Sequence, residues 1–228
     1  TFSQSAQFNI SKYTPDVLIP LNGTGRFDVT YTNSSSSAQT FDFIDILPYN
    51  GDGRFPPSSF TGTVGLSSVD YSRAAGIAST YISSASPSTL NADPSSNPAV
   101  GTGIWTCTLT QINTPDCPTS ATVTAIRFKT SSLPAGTRQT VRINMSTNAN
   151  TGKDLYTNRA AGRASIATSF IQSQDVFIRT PFYSIGNLVF EDKNTDGKFN
   201  SGDLPIANVT MELLDKGLDG IAYNGDDV

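Results

Sequence analysis

Oxygen-bearing side chains recur at fixed offsets in residues 191–203 of this 228-residue chain, Glu-Asp-Lys-Asn-Thr-Asp-Gly-Lys-Phe-Asn-Ser-Gly-Asp. With Asp192 as position 1 of a twelve-residue loop, Asn194, Asp196, Asn200 and Asp203 fall at positions 3, 5, 9 and 12. Gly197 stands at position 6, where such a loop turns sharply, and Lys198 at position 7 offers its backbone carbonyl. Calcium is a hard cation that takes six to eight oxygens at about 2.3–2.6 Å, and this spacing wraps them round one point. Phe199 faces away and is free to anchor the loop to a core. The bidentate Glu usual at position 12 is replaced by Asp203, which has a shorter reach. A solvated Asn/Asp/Gly turn between strands is the competing reading.

The flanks decide which kind of calcium loop this is. An EF-hand needs a helix on each side. Ser184 to Phe190 is instead short, apolar and β-branched or aromatic, and suits a strand. Pro205 follows Leu204 and blocks a helix there. Val209 to Leu214 reads as a further strand, so the loop joins strands. A second loop follows at once. Asp215, Gly217, Asp219, Gly220 and Asp226 repeat offsets 1, 3, 5, 6 and 12, with Ile221 at the carbonyl position. Position 3 lacks a side-chain oxygen here, and a glycine-rich hairpin turn is the alternative.

The run Ile185-Gly-Asn-Leu-Val-Phe-Glu-Asp-Lys-Asn-Thr-Asp-Gly, with Asp203-Leu-Pro-Ile-Ala-Asn-Val-Thr after it, resembles the calcium-binding B repeats of serine-aspartate-repeat surface adhesins. The tail from Asp215 to Val228 resembles the second calcium loop of the same repeats. The resemblance implies an all-β, prealbumin-like spacer stiffened by Ca2+ in a cell-surface stalk. It breaks off partway through a repeat, so the chain is expected to belong to something longer.

The elements that must hold these loops are strands. Charged residues are sparse at 15%, and turn-forming Gly (18) and Pro (13) punctuate the chain, which favours many short strands over helices. Alternation is clearest in Phe41-Asp-Phe-Ile-Asp-Ile, Val123-Thr-Ala-Ile-Arg-Phe-Lys and Thr140-Val-Arg-Ile-Asn-Met, the period-two pattern of antiparallel sheets with one wet face. Strands are predicted near 5–10, 25–32, 40–46, 60–70, 77–82, 102–110, 121–129, 139–146, 163–171 and 175–181. That spacing suggests an Ig-like antiparallel β-sandwich over residues 1–182. The polar, proline-rich stretch 83–98 reads as a surface loop. A boundary near Thr180-Pro181-Phe182 leaves residues 183–228 as the partial prealbumin-like calcium module.

Asp45-Ile-Leu-Pro-Tyr-Asn-Gly-Asp-Gly-Arg, Ser132-Leu-Pro-Ala-Gly-Thr, Tyr156-Thr-Asn-Arg-Ala and Ser173-Gln-Asp-Val resemble a conserved-repeat Ig-like domain of large bacterial and archaeal surface proteins. That resemblance implies an extracellular building block without catalytic activity. Asp45, Asn50 and Asp52 are candidates for a third cation site on the turn after a strand, against the alternative of a solubilising turn.

Cys107 and Cys117 sit ten positions apart, and a strand–turn–strand would bring them within disulfide range. Free paired thiols are the alternative, and the calcium loops, which argue for an exterior location, favour the disulfide. With no histidine in the chain, Ser-His-Asp and Cys-His nucleophile systems are impossible within it. Counting alone leaves a glycosidase-type carboxylate pair open, although most acids sit in calcium-type loops. Lys12, on an early strand, is a candidate for an intramolecular lysine–asparagine isopeptide, but the sequence singles out no catalytic acid for it.

The calcium loops and the two resemblances lead us to expect an extracellular, cell-surface location, and charge and composition narrow the partners. Net charge is −4 with no basic cluster, which argues against nucleic acid as a partner. No apolar run approaches the ~18–20 residues of a membrane span. Asn-x-Ser/Thr occurs at Asn9, Asn22, Asn33, Asn144 and Asn208, of use only in a glycosylating host. Leu133-Pro-Ala-Gly-Thr is an internal, reversed version of a sortase signal and is rejected as one. The expectation is a non-enzymatic, calcium-stiffened segment of a microbial surface protein, with neighbouring modules or subunits as partners. The alternatives are an adhesin domain gripping a host or carbohydrate ligand, favoured by exposed aromatics on one loop face, and a filament subunit exchanging a strand. A detached first strand near residues 1–13 would favour the last.

Overall fold

The computed structural model describes residues 8–165, 167, 169–181 and 188–210. The chain divides into two compact units, residues 1–182 and 183–228. The first is an antiparallel β-sandwich. One sheet holds β1 (Phe8–Tyr13), β2 (Thr24–Asn33), β8 (Arg138–Asn148) and β4 (Thr63–Arg73), in that order. The other runs β10 (Ile171–Gln172), β9 (Leu155–Ala164), β3 (Phe41–Ile46), β7 (Ala125–Thr130), β5 (Ile77–Ser83) and β6 (Cys107–Thr108). A further strand, β11 (Val176–Arg179), also pairs with β9.

Alternation explains the layers. Phe27, Val29 and Tyr31 of β2, with Val141, Ile143 and Met145 of β8, point inward from the first sheet and are fully buried. Phe41 and Phe43 of β3, with Ile126 and Phe128 of β7, are likewise fully buried in the second sheet. Phe43 stacks on Phe128 at 4.7 Å between ring centres and meets Tyr31 at 5.0 Å, so aromatic contacts join the sheets. The outer face of the second sheet is covered too. Ile44 and Ala125 pack with Leu90 and Trp105 from the long loop after β5, so the stretch 83–98 is partly a lid on the sheet.

Polar groups on the outer faces tie neighbouring strands. Asp28 of β2 accepts hydrogen bonds from Arg142 of β8 at 2.7 and 2.9 Å, and from Arg73 at the end of β4 at 3.0 Å. Asp42 of β3 is held by Arg127 and Lys129 of β7 in the same manner. These are cross-strand pairs, the sheet's counterpart of helical i,i+4 contacts.

Two predicted strands are corrected. The segment 102–110 is a 3-10 turn (Gly103–Trp105), the two-residue β6 and another 3-10 turn (Leu109–Gln111), because Trp105 folds back onto the sheet instead of extending along it. The strand expected at 163–171 lies earlier, at Leu155–Ala164. Its Ala- and Gly-rich end hides it from β-propensity, yet small residues are what the position requires. A Cβ on Gly162 would lie 2.5 Å from the Phe43 Cβ, so β9 and β3 pack too closely for any larger residue there.

In the second unit the described residues hold a short antiparallel pair, β12 (Phe190–Glu191) and β13 (Leu204–Pro205). The calcium-type loop connects them. The strand expected at 209–214 and the second loop lie, from residue 211 on, outside the described residues.

Candidate functional site

Three buried polar side chains stand out inside the sandwich. Period-two alternation carries the inward row of β1 through Phe8, Ile10 and Lys12, and that of β3 through Phe41, Phe43 and Asp45. The inward row of β9 runs through Tyr156, Asn158 and Ala160. Each row therefore delivers a polar residue to a position that should be apolar. The side chains of Lys12 and Asp45 are 0% exposed, as is Asn158.

The three converge. Lys12 Nζ donates to Asp45 Oδ2 in direct contact, while Asn158 Nδ2 donates to Asp45 Oδ1 at 2.8 Å. One carboxyl group thus holds both nitrogens, the amine from one sheet and the amide from the other. The Asn158 Oδ1 accepts the backbone N–H of Arg159 at 2.7 Å. Around them the wall is apolar, with the Phe27 ring centre 5.0 Å from Lys12 Nζ and Met145, Tyr156 and Ile178 in the same cluster. Burial pulls the Lys12 amine from its ordinary 10.5 down to about 8, with nearby Arg54 adding to the effect; Asp45 only partly opposes it.

The backbone closes this seam. The Lys12 carbonyl accepts from the Gln174 side chain, and beyond β1 the backbone of Val17 and Ile19 pairs with Arg179 of β11. The chain thereby crosses from the first sheet to the second within a few residues of Lys12. Residues 8–13 are paired with β2 along their whole length, so among the described residues the first strand is not detached.

The proposed third cation site does not assemble. Asp45 points into the core toward Lys12 and Asn158. Asn50 bonds the backbone of Phe60 in both directions, and Asp52 accepts from the backbone of Arg54 and Ser58. Asp45 belongs to the inward row of β3, whereas Asn50 and Asp52 brace the turn after it.

The calcium-type loop between β12 and β13 is ordered by its own ligand-type groups. Asp192 accepts the backbone N–H of Asp196 at 3.2 Å and of Gly197 at 2.8 Å. Asn194 and Asn200 both donate to Asp196 Oδ2, at 3.1 and 2.7 Å, and Asn200 also reaches the Lys198 carbonyl at 3.2 Å. Gly197 turns at φ 75°, a left-handed value suited to glycine. Asp203 faces back toward the loop ends, accepting Lys193 N at 3.1 Å and Asn200 N at 2.9 Å. Side chains 192, 194, 196 and 200 therefore gather with the carbonyl of 198, and rotating either amide half a turn would present oxygen where nitrogen now lies. Among the described residues no three His, Cys, Asp or Glu side chains form a metal-holding group, so a cation here needs the amide and carbonyl oxygens as well. Phe199 meets Phe190 edge-on at 5.4 Å while staying 50% exposed. Asp215, Asp219, Ile221 and Asp226 lie outside the described residues.

Cys107 and Cys117 are joined as a disulfide. The bridge closes a loop of 3-10 and irregular turns, not a strand–turn–strand. Trp105 is fully buried against the outer face of the second sheet, and Arg127 lies over its ring. Among the described residues of the sandwich, Phe55 is the most exposed aromatic at 86%, followed by Tyr13 at 63%.

No family model matches the sequence, and no curated protein matches it. Among solved structures the chain is similar to the major pilin SpaD from Corynebacterium diphtheriae, at 11% identity and a TM-score of 0.37, over 75% of this chain and 34% of that one. It is also similar to the C-terminal domain of the AgI/II polypeptide BspA from Streptococcus agalactiae, at 9% identity and a TM-score of 0.34, over 75% of this chain and 50% of that one. AvmM, which catalyses macrocyclization in alchivemycin A biosynthesis, matches at 11% identity and a TM-score of 0.35, over 80% of this chain and 93% of that one. Surface proteins and an enzyme stand side by side at these scores, so the argument about function rests on the residues themselves.

The Lys12–Asp45–Asn158 group could have been found from sequence. Its signal is a polar residue at the inward phase of three otherwise apolar alternating rows. The sequence offers Lys12 as a candidate but neither partner: Asp45 also suits the turn that follows it, and the small residues of β9 hide the strand that carries Asn158.

Proposed function

We propose that this chain is a non-catalytic structural segment of a microbial surface protein, an Ig-like sandwich followed by a calcium-stiffened module. The observation that carries this reading is the use of polar groups. In the sandwich, Asp16, Asp28, Asp42, Asp93 and Asp175 are each gripped by an arginine of another strand or loop, and Asp45 by Lys12. A hydrolytic carboxylate pair needs acids free to face a substrate, and these acids are committed to joining strands. The disulfide fits an oxidising exterior. Calcium at Asp192, Asn194, Asp196, Lys198, Asn200 and Asp203, and at the second loop, would fix the module as a spacer between neighbouring modules or subunits.

Single-molecule pulling on the 228-residue chain tests the load-bearing role. The expected result is a mechanically resistant sandwich, and a second, weaker event from residues 183–228 that strengthens in calcium and weakens in EDTA. A sandwich that yields at forces indistinguishable from thermal fluctuation would sink the structural reading.

A further inference from the structure

An amine, a carboxyl and an amide packed together in an apolar core contribute little to stability that aliphatic side chains could not supply, because desolvation offsets much of their attraction. The same arrangement is well suited to chemistry. The amine is held against a proton acceptor, the amide carbonyl is polarised by a backbone N–H, and water is excluded.

We propose that Lys12 and Asn158 are joined by an intramolecular isopeptide bond whose formation is catalysed by Asp45. Asp45 Oδ2 takes a proton from Lys12 Nζ, and the freed lone pair attacks Asn158 Cγ. Charge builds on Asn158 Oδ1, where the Arg159 N–H already donates at 2.7 Å. Asp45 Oδ1, which faces Nδ2 at 2.8 Å, returns a proton to that nitrogen. The bond from Cγ to Nδ2 breaks and ammonia departs, leaving Cγ bonded to Nζ. An ammonium and a primary amide become a secondary amide and an ammonium ion, so atoms and charge balance and nothing is oxidised or reduced. Asp45 is regenerated.

Asp45 is the catalyst and Asn158 the electrophile for two reasons. Among the described residues only Asp45 touches both nitrogens, so it is the group that can pass a proton from the one to the other. A carboxylate is also a poorer electrophile than an amide whose oxygen is hydrogen-bonded. Burial supports the amine's role, since a lysine lowered to about 8 gives up its proton far more readily than an exposed one.

The bond would staple β1 of one sheet to β9 of the other. Tension entering near one end of residues 1–182 and leaving near the other would pass through it and bypass residues 13–157. That mechanical use rests on the structural reading above; the chemistry does not.

Intact-mass measurement of the folded 228-residue chain tests the bond directly. Beyond the two hydrogens lost to the disulfide, the expected mass is lower than the sequence mass by one ammonia, about 17 Da. Peptide mapping should find the Lys12 peptide joined to the Asn158 peptide, with Asn158→Ala and Asp45→Ala both restoring the sequence mass. Should a variant fail to fold, the wild-type mass and map still decide. A wild-type chain with no such loss overturns the proposal, and so does loss of water with Lys12 joined to Asp45. Chelator leaves these masses unchanged, so the result is independent of whether calcium binds.

Discussion

The interior of the sandwich and the loop between β12 and β13 spend similar side chains in opposite ways. Inside the sandwich an acid and an amide meet a lysine at 0% exposure, and their partners are other parts of the chain. In the loop, acids and amides gather at an exposed turn and bond mostly to their own neighbours' backbone. Burial makes the first group costly unless every member is satisfied, and it raises the reactivity of the lysine. Exposure leaves the second group cheap, adaptable and open to an ion from solvent. One region is built to hold itself together; the other is suited to being held by something small and soluble.

The comparison breaks most visibly if the sandwich loses its staple. A bond between residues 12 and 158 closes a loop spanning 158 − 12 = 146 positions, and the chain-entropy model assigns such a closure roughly 5 kcal/mol. Asn158→Ala should therefore lower the melting temperature of the sandwich by roughly 10–20 °C, leaving any transition of residues 183–228 in place. Differential scanning calorimetry reads both. A shift of only a few degrees would mean that no covalent link was lost.

Reduction of the disulfide is the next largest effect, and it too should fall on the sandwich alone. The ten-residue separation of Cys107 and Cys117 corresponds to roughly 2.7 kcal/mol. Urea melts with and without reductant should differ by about this amount, and equal midpoints would show that the bridge constrains nothing that matters to unfolding. Calcium should act on the other side of the comparison. For a site of ~10 µM affinity at ~1 mM calcium, mass action stabilises the C-terminal unit by about 2.7 kcal/mol. Calorimetry in calcium and in EDTA should move only that unit's transition. An EDTA-sensitive sandwich, or an EDTA-indifferent second unit, would erase the contrast.

How much of this was legible in the sequence depends on which physical signal each part leaves. The all-β sandwich was legible because alternation such as Phe41-Asp-Phe-Ile-Asp-Ile is a direct imprint of a sheet with one buried face. The strand at Leu155–Ala164 was not, since its small residues answer to a neighbour, Phe43, that only the fold reveals. The 3-10 setting of Trp105 was not legible either, because burial against an outer sheet face leaves no periodic trace. The ligand spacing of Asp192 to Asp203 was plain, being local in sequence. The Lys12–Asp45–Asn158 group was only one-third visible. Its members are separated by 33 and 113 residues, so a polar residue at the inward phase of one strand does not by itself show which residues it meets.

The smallest effect is a matter of pH, and it bears on whether Lys12 titrates at all. In Asn158→Ala the amine remains free beside Asp45 with Arg54 also within its field, and burial lowers it from its ordinary 10.5 toward the value of about 8 that it has in the unlinked native site. Between those two values the unfolded chain binds more protons at Lys12 than the folded chain does. Stability at this site must then rise with pH from about 8 to about 10.5, since folding no longer has to strip a proton from the amine. Tyr31 and Tyr156 act in the opposite sense, because burial raises both hydroxyls and their contribution is lost as pH climbs above the unfolded value of 10.0. They are common to both proteins, so the difference between variant and wild type isolates Lys12. In the cross-linked wild type the nitrogen is an amide and cannot titrate. The variant should gain on the wild type by about 1 kcal/mol across this window, less than full burial implies because the space left by the amide admits water beside the amine. Denaturant melts at pH 8 and pH 10 measure the gain, and parallel pH profiles for the two proteins would mean that Lys12 is in the same chemical state in both.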